Sequence, residues 1–292
     1  MKLARQGKSG TEERTVLAIL MLVSCLTFLV FSLFLSRRRA PPPSPEAQLL
    51  AQLNAMNAAI ELFANEFDGY PPSDPNDPVG EPYCGAMKLT EAVMGQDLLG
   101  FHSQSIFRRD GSDAKGVSLY PPDLDKLSGA LRQSNLRDRK GPFLQVENAN
   151  AWRLVDIYGK GNVGPFAEST FVLCDPYERV RSSGERTGMP ILYYRANPSG
   201  TAHDVANPDN PQNIYHYQDN QALILLSVPG EPNQVHPLAD PKRFYLNTQD
   251  RKASGRPAPY RRDSFILVSA GEDGLYGTAD DICNFDWKYR KR

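Results

Sequence analysis

The chain has 292 residues, 40% of them hydrophobic, which is enough apolar material for one large domain or two small ones with a real core. Its 33 lysines and arginines stand against 34 aspartates and glutamates, a formal net charge of -1, so no bulk electrostatic field favours nucleic acid as a partner. The 24 prolines and 22 glycines speak against a helical bundle and for an α+β fold with many turns and long loops.

Residues 1–14 form a polar tail carrying Lys2, Arg5, Lys8 and Arg14. From Thr15 to Ser36 the sequence TVLAILMLVSCLTFLVFSLFLS has no charge. At ~1.5 Å per residue it spans roughly 33 Å, the depth of a bilayer's hydrocarbon, which predicts a transmembrane helix over 15–36. A cleaved signal peptide would show a shorter apolar core and a small-x-small site, whereas Arg37, Arg38 and Arg39 follow here. Four basic residues before the apolar run against three after it place the N-terminus in the cytoplasm by a narrow margin. Residues 37–46 are then an Arg/Pro linker, because the prolines of APPPSPE remove backbone donors and hold the chain extended.

Beyond the linker, Leu49, Leu53, Met56, Ile60, Phe63 and Phe67 recur at spacings of three and four, which predicts an amphipathic helix over Pro45–Phe67. Gln52, Asn54, Glu61 and Asn65 lie off that apolar set. Asp68-Gly69-Tyr70-Pro71-Pro72 ends the helix: the glycine permits a left-handed cap and the prolines forbid resumption. A second helix is expected over Gly85–Met94, with Met87, Leu89, Val93 and Met94 as its apolar set. Shorter helices are expected at Asp123–Leu136, Ala149–Tyr158 and Asn220–Leu226. Strands are expected at Thr170–Cys174, Ile191–Arg195 and Ser264–Ser269, which are rich in β-branched and aromatic residues and bounded by turn signals. Asn197–Asn220 has no period and reads as a surface excursion.

Cys25 lies in the apolar run, leaving Cys84, Cys174 and Cys283 in the polar domain. No C-x-x-C pair is present, at most one of the three possible bridges can form, and the competing reading is that these are small buried apolar residues. Gly159-Lys160-Gly161-Asn162-Val163-Gly164 matches G-x-G-x-x-G, but Pro165 follows at once and the next strand begins near Thr170, leaving no room for a crossover helix. His102, His203, His216 and His236 include no i, i+4 pair, and no HExxH or GxSxG occurs. No catalytic residue is nominated and the chain is read as non-enzymatic. Arg108, Arg109, Arg137 and Arg139 would be the basic residues of an interaction module.

The C-terminal segment Ser269-Ala270-Gly271-Glu272-Asp273-Gly274-Leu275-Tyr276-Gly277-Thr278-Ala279-Asp280-Asp281-Ile282 places four carboxylates in a glycine-rich turn after a strand. Hard oxygen ligands on a flexible loop suit Ca²⁺, which accepts six to eight oxygens and uses backbone carbonyls as well. Leu275 stands where an EF-hand needs an oxygen, so the loop is not an EF-hand. A solvated acidic turn is the alternative.

The segment SFILVSAGEDGLYGTADDI resembles the C-terminal loop of the major pseudopilins of type II secretion systems, in the type IV pilin-like family, whose members carry S-x-G-x-D-G, a glycine turn and A-D-I. The helix end Phe67-Asp68-Gly69-Tyr70-Pro71 is similar to that family's helix end before Tyr-Pro, and Asp175-Pro176-Tyr177 with Ile191-Leu192-Tyr193-Tyr194-Arg195 resembles its Asp-Pro hairpin. The resemblance implies an amphipathic helix packed on a small antiparallel sheet in an extracytoplasmic domain, 47–292, with an unmatched insertion at about 76–169. It implies a structural Ca²⁺ with Asp273 and Asp280 as ligands, Asp281 and Ser269 as further candidates, and Glu272 as a weaker one. It also implies a structural or accessory role beside other pseudopilins or secretion-apparatus proteins, with an inner-membrane anchor and a periplasmic domain. No nucleic acid or small-molecule substrate enters this reading. The family's peptidase site, Gly-Phe-Thr-Leu-Ile-Glu, is replaced here by Gly10-Thr11-Glu12-Glu13-Arg14, with Thr15 where the fifth-position glutamate would stand. That departure, with the proline linker, points to a pilin-like domain on a permanent anchor. The second hypothesis is a membrane-tethered enzyme or ligand-binding domain whose pocket comes from the middle insertion.

Overall fold

A computed structural model describes Met21 and residues 42–181, 184–250 and 258–285. The expected membrane helix at 15–36, the tail at 1–14 and most of the linker lie outside the described residues. Among the described residues no helix is long and apolar enough to cross a membrane. The chain divides into two units, Met1–Ser44 and Pro45–Arg292, and the second carries the fold that follows.

That unit is α+β, with short antiparallel sheets. Helix α1 (Pro45–Phe67) and helix α2 (Gly85–Met94) have the expected bounds. Along α1 the buried residues are Leu49, Gln52, Leu53, Met56, Ala59, Ile60 and Phe63, a stripe of three-and-four spacing that faces the sheet. Gln52 belongs to this stripe, contrary to expectation, because it sits one turn after Leu49. Its Nε2 donates to the carbonyl of Cys174 at 2.8 Å and to that of Ala149 at 3.3 Å, so its amide is satisfied inside the core. The end of α1 also differs in detail: Asp68, at φ 55°, takes the left-handed position expected of the glycine, and Gly69 N–H closes onto Ala64 O at 3.1 Å.

All ten residues of α2 are buried, including Lys88 and Glu91. Leu89, Val93 and Met94 pack with α1, while Ala86 and Met87 pack with the opposite half of the core. The Lys88 ammonium donates to the carbonyls of Asp74 at 2.9 Å and Asn76 at 2.7 Å. Glu91 accepts from Tyr83 Oη at 2.8 Å, Gln96 Nε2 at 3.0 Å and Ser105 Oγ. The segment without a counterpart in the sequence resemblance therefore contributes the central helix of the core.

The main sheet has the order β11 (Ile282–Cys283), β10 (Phe265–Ser269), β7 (Leu192–Arg195), all antiparallel. Its register pairs Leu267 with Tyr193 and Val268 with Leu192. Alternation along the strands separates the faces: Tyr193, Phe265 and Leu267 join α1, whereas Leu192, Tyr194, Ile266 and Val268 face the other half of the core. Burial on both faces explains why FILVS reads as one apolar run. A second ribbon pairs β3 (Ala151–Arg153) with β4 (Phe171–Leu173), and the Cys174–Pro190 bridge ties it to the start of β7.

The expected helix at Ala149–Tyr158 is instead a strand, β3, followed by a short helix, Leu154–Tyr158. Asn150 in the left-handed conformation breaks the first turn, and Trp152 then pairs with Val172. The expected helix at Asp123–Leu136 splits into a 3-10 turn, Leu124–Lys126, and a helix, Gly129–Arg137. The helix expected at Asn220–Leu226 occupies Gln218–Ile224. The polar excursion from Asn197 is not wholly on the surface, since Asn213, Ile214 and Tyr215 are buried. A helix at Pro241–Asn247, capped by the Asp240 carboxylate accepting from Lys242 N, was not expected.

Candidate functional site

The C-terminal loop leaves β10 at Ser269 and returns to the sheet at Ile282 in β11, so both ends are fixed by pairing of Ser269 with Ile282. Within the loop, carboxylates hold backbone. Asp280 Oδ2 accepts from Asp273 N at 2.8 Å, and its Oδ1 accepts from Thr278 Oγ1 at 2.6 Å. Asp273 Oδ1 accepts from Leu275 N at 2.7 Å. Asp281 accepts from Gly277 N at 2.8 Å and from Thr278 N at 3.2 Å. Gly271 takes φ 65°, and a side chain there would run into the Asp280 backbone.

The structure thus brings Asp273 and Asp280 together as a facing pair. Burial raises Asp273, and the adjoining Asp280 adds to the rise. Burial also pushes on Asp280, but the Thr278 hydroxyl and Asp273 N–H hold it below the ordinary carboxylate range. Asp281, buried beneath them, is raised well above its ordinary value, chiefly by burial, with the charges of Asp280 and Asp273 adding to it. Glu272 is exposed on the outside of the turn.

Ser269 faces elsewhere. Its hydroxyl donates to Asp175 Oδ2 at 2.8 Å and accepts from Gly271 N at 3.2 Å. Asp175 in turn accepts from Tyr177 N and Met189 N, both at 3.2 Å, and burial pushes its carboxyl up to about 7. The Asp175-Pro176-Tyr177 hairpin and the Ser269 start of the acidic loop are therefore one hydrogen-bonded unit. Sequence reading missed this partner because the two residues are 94 positions apart.

Two further residues clasp the loop. Arg179 donates to the carbonyl of Glu272, and His236 Nδ1 accepts from Tyr276 N at 3.2 Å while Leu238 N donates to Tyr276 O at 2.9 Å. His236 is buried, which pushes its imidazole down to about 4. Nothing local in the sequence marks either residue.

No protein-family model, curated protein or solved structure matches this chain.

The other candidate constellations separate. Residues 159–170 contain no helix, and Gly161 N donates to Glu168 Oε1 at 2.8 Å, so the glycine motif is a closed turn. Cys84, Cys174 and Cys283 are free, buried thiols. Arg108 pairs with Asp110 at 2.9 Å, Arg109 with Glu81 at 3.0 Å and Arg137 with Asp138 at 3.8 Å, while the buried Arg139 holds Asp97. Among the described residues, no group of three or more His, Cys, Asp or Glu side chains is arranged to hold a metal ion. The protein oxygens available to a cation are therefore the Asp273 and Asp280 carboxylates with neighbouring backbone carbonyls. Asp281 and Ser269 are engaged in the loop's own hydrogen bonds.

Proposed function

We propose that this chain is a membrane-anchored, pseudopilin-like structural or accessory component of a type II secretion or type IV pilus-like apparatus, with its outer domain stabilised by calcium. The observation that carries the reading is the facing Asp273–Asp280 pair, which closes a loop anchored on the sheet that α1 covers. Two carboxylates this close oppose each other's ionisation, and a divalent cation relieves that repulsion while drawing on hard oxygen ligands. Asp273 and Asp280 fit such an ion, and its role is to fold the loop tightly.

Helix α1 against β7, β10 and β11, with Tyr70 donating to Glu61 at 3.1 Å and Tyr193 donating to Pro71 O at 2.8 Å just beyond the helix end, supports the pilin-like comparison. The surface depressions described around Tyr177, Arg179 and Glu272, and around Leu144, Val146 and Glu147, are open to solvent. The polar groups of the middle segment, Lys88 and Glu91 above all, are spent on internal hydrogen bonds. Both features favour a structural role over an enzyme's pocket.

The anchored reading is tested by alkaline extraction of membranes followed by mass spectrometry of the N-terminus. Retention in the membrane with residues 1–14 intact is expected. Release by alkali contradicts the anchor, and cleavage after Gly10 with methylation of Thr11 would replace the fixed anchor by a filament subunit.

A further inference from the structure

Behind the hairpin that carries Arg179 lies a buried polar neighbourhood independent of the acidic loop. Tyr158, at the end of the Leu154–Tyr158 helix, is 3% exposed, and Arg181 is 6% exposed. The Tyr158 hydroxyl and Arg181 Nη2 are both cut off from solvent, and neither has a hydrogen-bond partner. They share one electrostatic neighbourhood with the Cys174 thiol: the guanidinium lowers Tyr158, and Tyr158 and Cys174 both act on Arg181.

The donors around them are accounted for otherwise. Arg181 Nε donates to Thr187 O and Oγ1, both at 3.1 Å. Asp175, the nearest carboxyl to act on Arg181, directs its oxygens to Tyr177 N, Met189 N and Ser269 Oγ. The guanidinium charge thus stays buried without a carboxylate in contact, an arrangement that costs several kcal/mol if nothing compensates it. Native interiors rarely leave such groups orphaned. An arginine nitrogen only donates and a phenol donates readily, so the two call for an acceptor, and the uncompensated positive charge calls for a negative one.

We propose that Arg181 Nη2 and Tyr158 Oη bind a small inorganic anion of the chloride class within the domain core, with the Cys174 thiol beside it. The anion neutralises the buried guanidinium and ties the hairpin of Arg179–Val180 and Arg186–Thr187 to the end of the Leu154–Tyr158 helix.

The test is thermal melting of the purified full chain in chloride and in gluconate at equal ionic strength, with bromide as a second probe. A saturable rise in melting temperature with chloride and bromide, absent in gluconate, is expected. Tyr158→Phe should weaken the apparent halide affinity about tenfold, the loss expected for a hydrogen bond to a charged group. Arg181→Gln should abolish the dependence. Should Arg181→Gln fail to fold, the saturation curve of the parent chain and Tyr158→Phe, which removes a single hydroxyl, decide the matter. Identical melting in chloride and gluconate means that only water occupies the site and overturns the proposal. Halide stabilisation that persists undiminished in Tyr158→Phe places the effect elsewhere and overturns it equally.

Discussion

Asp175 keeps its proton at a pH where an ordinary aspartate has lost it, because burial outweighs Ser269, Met189, Tyr177 and Arg181, all of which favour its charge. Its folded value of about 7 stands above the ordinary 3.8, so its contribution to stability is complete below 3.8 and is lost as pH rises to 7. His236 has the opposite sign. Its folded value of about 4 lies below the ordinary 6.5, so stability is complete above 6.5 and is lost as pH falls toward 4. At ~1.4 kcal/mol per unit, either group carries a few kcal/mol, and over the shared window the two slopes oppose each other. Urea unfolding across pH 4 to 7 should therefore respond in opposite directions to two variants. Asp175→Asn should make stability rise more steeply with pH than in the parent chain, and His236→Gln should make it fall more steeply. An unchanged slope in Asp175→Asn would show that Ser269 does not rest on an ionisable partner. Gly188 belongs to the same site: a Cβ there would overlap the Asp175 carbonyl and carboxyl oxygens. Gly188→Ala should cost about 1–3 kcal/mol in the same assay, as overpacking does, and more if the backbone cannot shift.

Helices α1 and α2 were legible because their apolar residues recur with the helical period over 23 and ten residues and their ends carry turn chemistry. The strands in the two-sided core were legible for a different reason, as runs of β-branched and aromatic residues. What local pattern could not supply was partnership. Ala151–Arg153 is a strand only because Phe171–Leu173 lies beside it, and Gln52 is internal only because two carbonyls from elsewhere in the chain meet its amide. In the acidic loop, Asp273 and Asp280 were visible because they lie seven residues apart, whereas Arg179 meets the loop from 93 positions away. The packing of α1 is open to a direct test. Met56→Ala and Ile60→Ala, each at a fully buried side chain, should cost roughly 2–5 kcal/mol in chemical denaturation. Gly85 sets how closely α2 approaches β7, since a Cβ there would overlap Tyr193 O. Gly85→Ala should destabilise by separating the two, seen as loss of the near-ultraviolet dichroism of the tyrosines packed around β7.

At the scale of the whole molecule, α2 joins the two halves of the core and carries its two charged residues inside. Glu91 gathers hydroxyl and amide donors from residues 83–105, and Glu91→Ala would leave these groups unsatisfied in the interior. A loss of roughly 3 kcal/mol or more is expected by equilibrium unfolding, from several orphaned donors at once. This is why the middle of the chain, although it resembled nothing, belongs to the scaffold: removing it would remove the central helix. The same scaffold fixes both ends of the acidic loop on paired strands, so a cation bound there stabilises the folded chain and not the unfolded one.

The measurement that bears most directly on the proposed function is therefore thermal melting of the purified full chain with millimolar calcium and with excess chelator, in the parent and in Asp273→Asn with Asp280→Asn. A melting temperature raised by calcium in the parent, with no calcium response in the double variant, is the expected result. Equal melting of the parent in calcium and in chelator would contradict the calcium-stabilised, pilin-like reading of this loop.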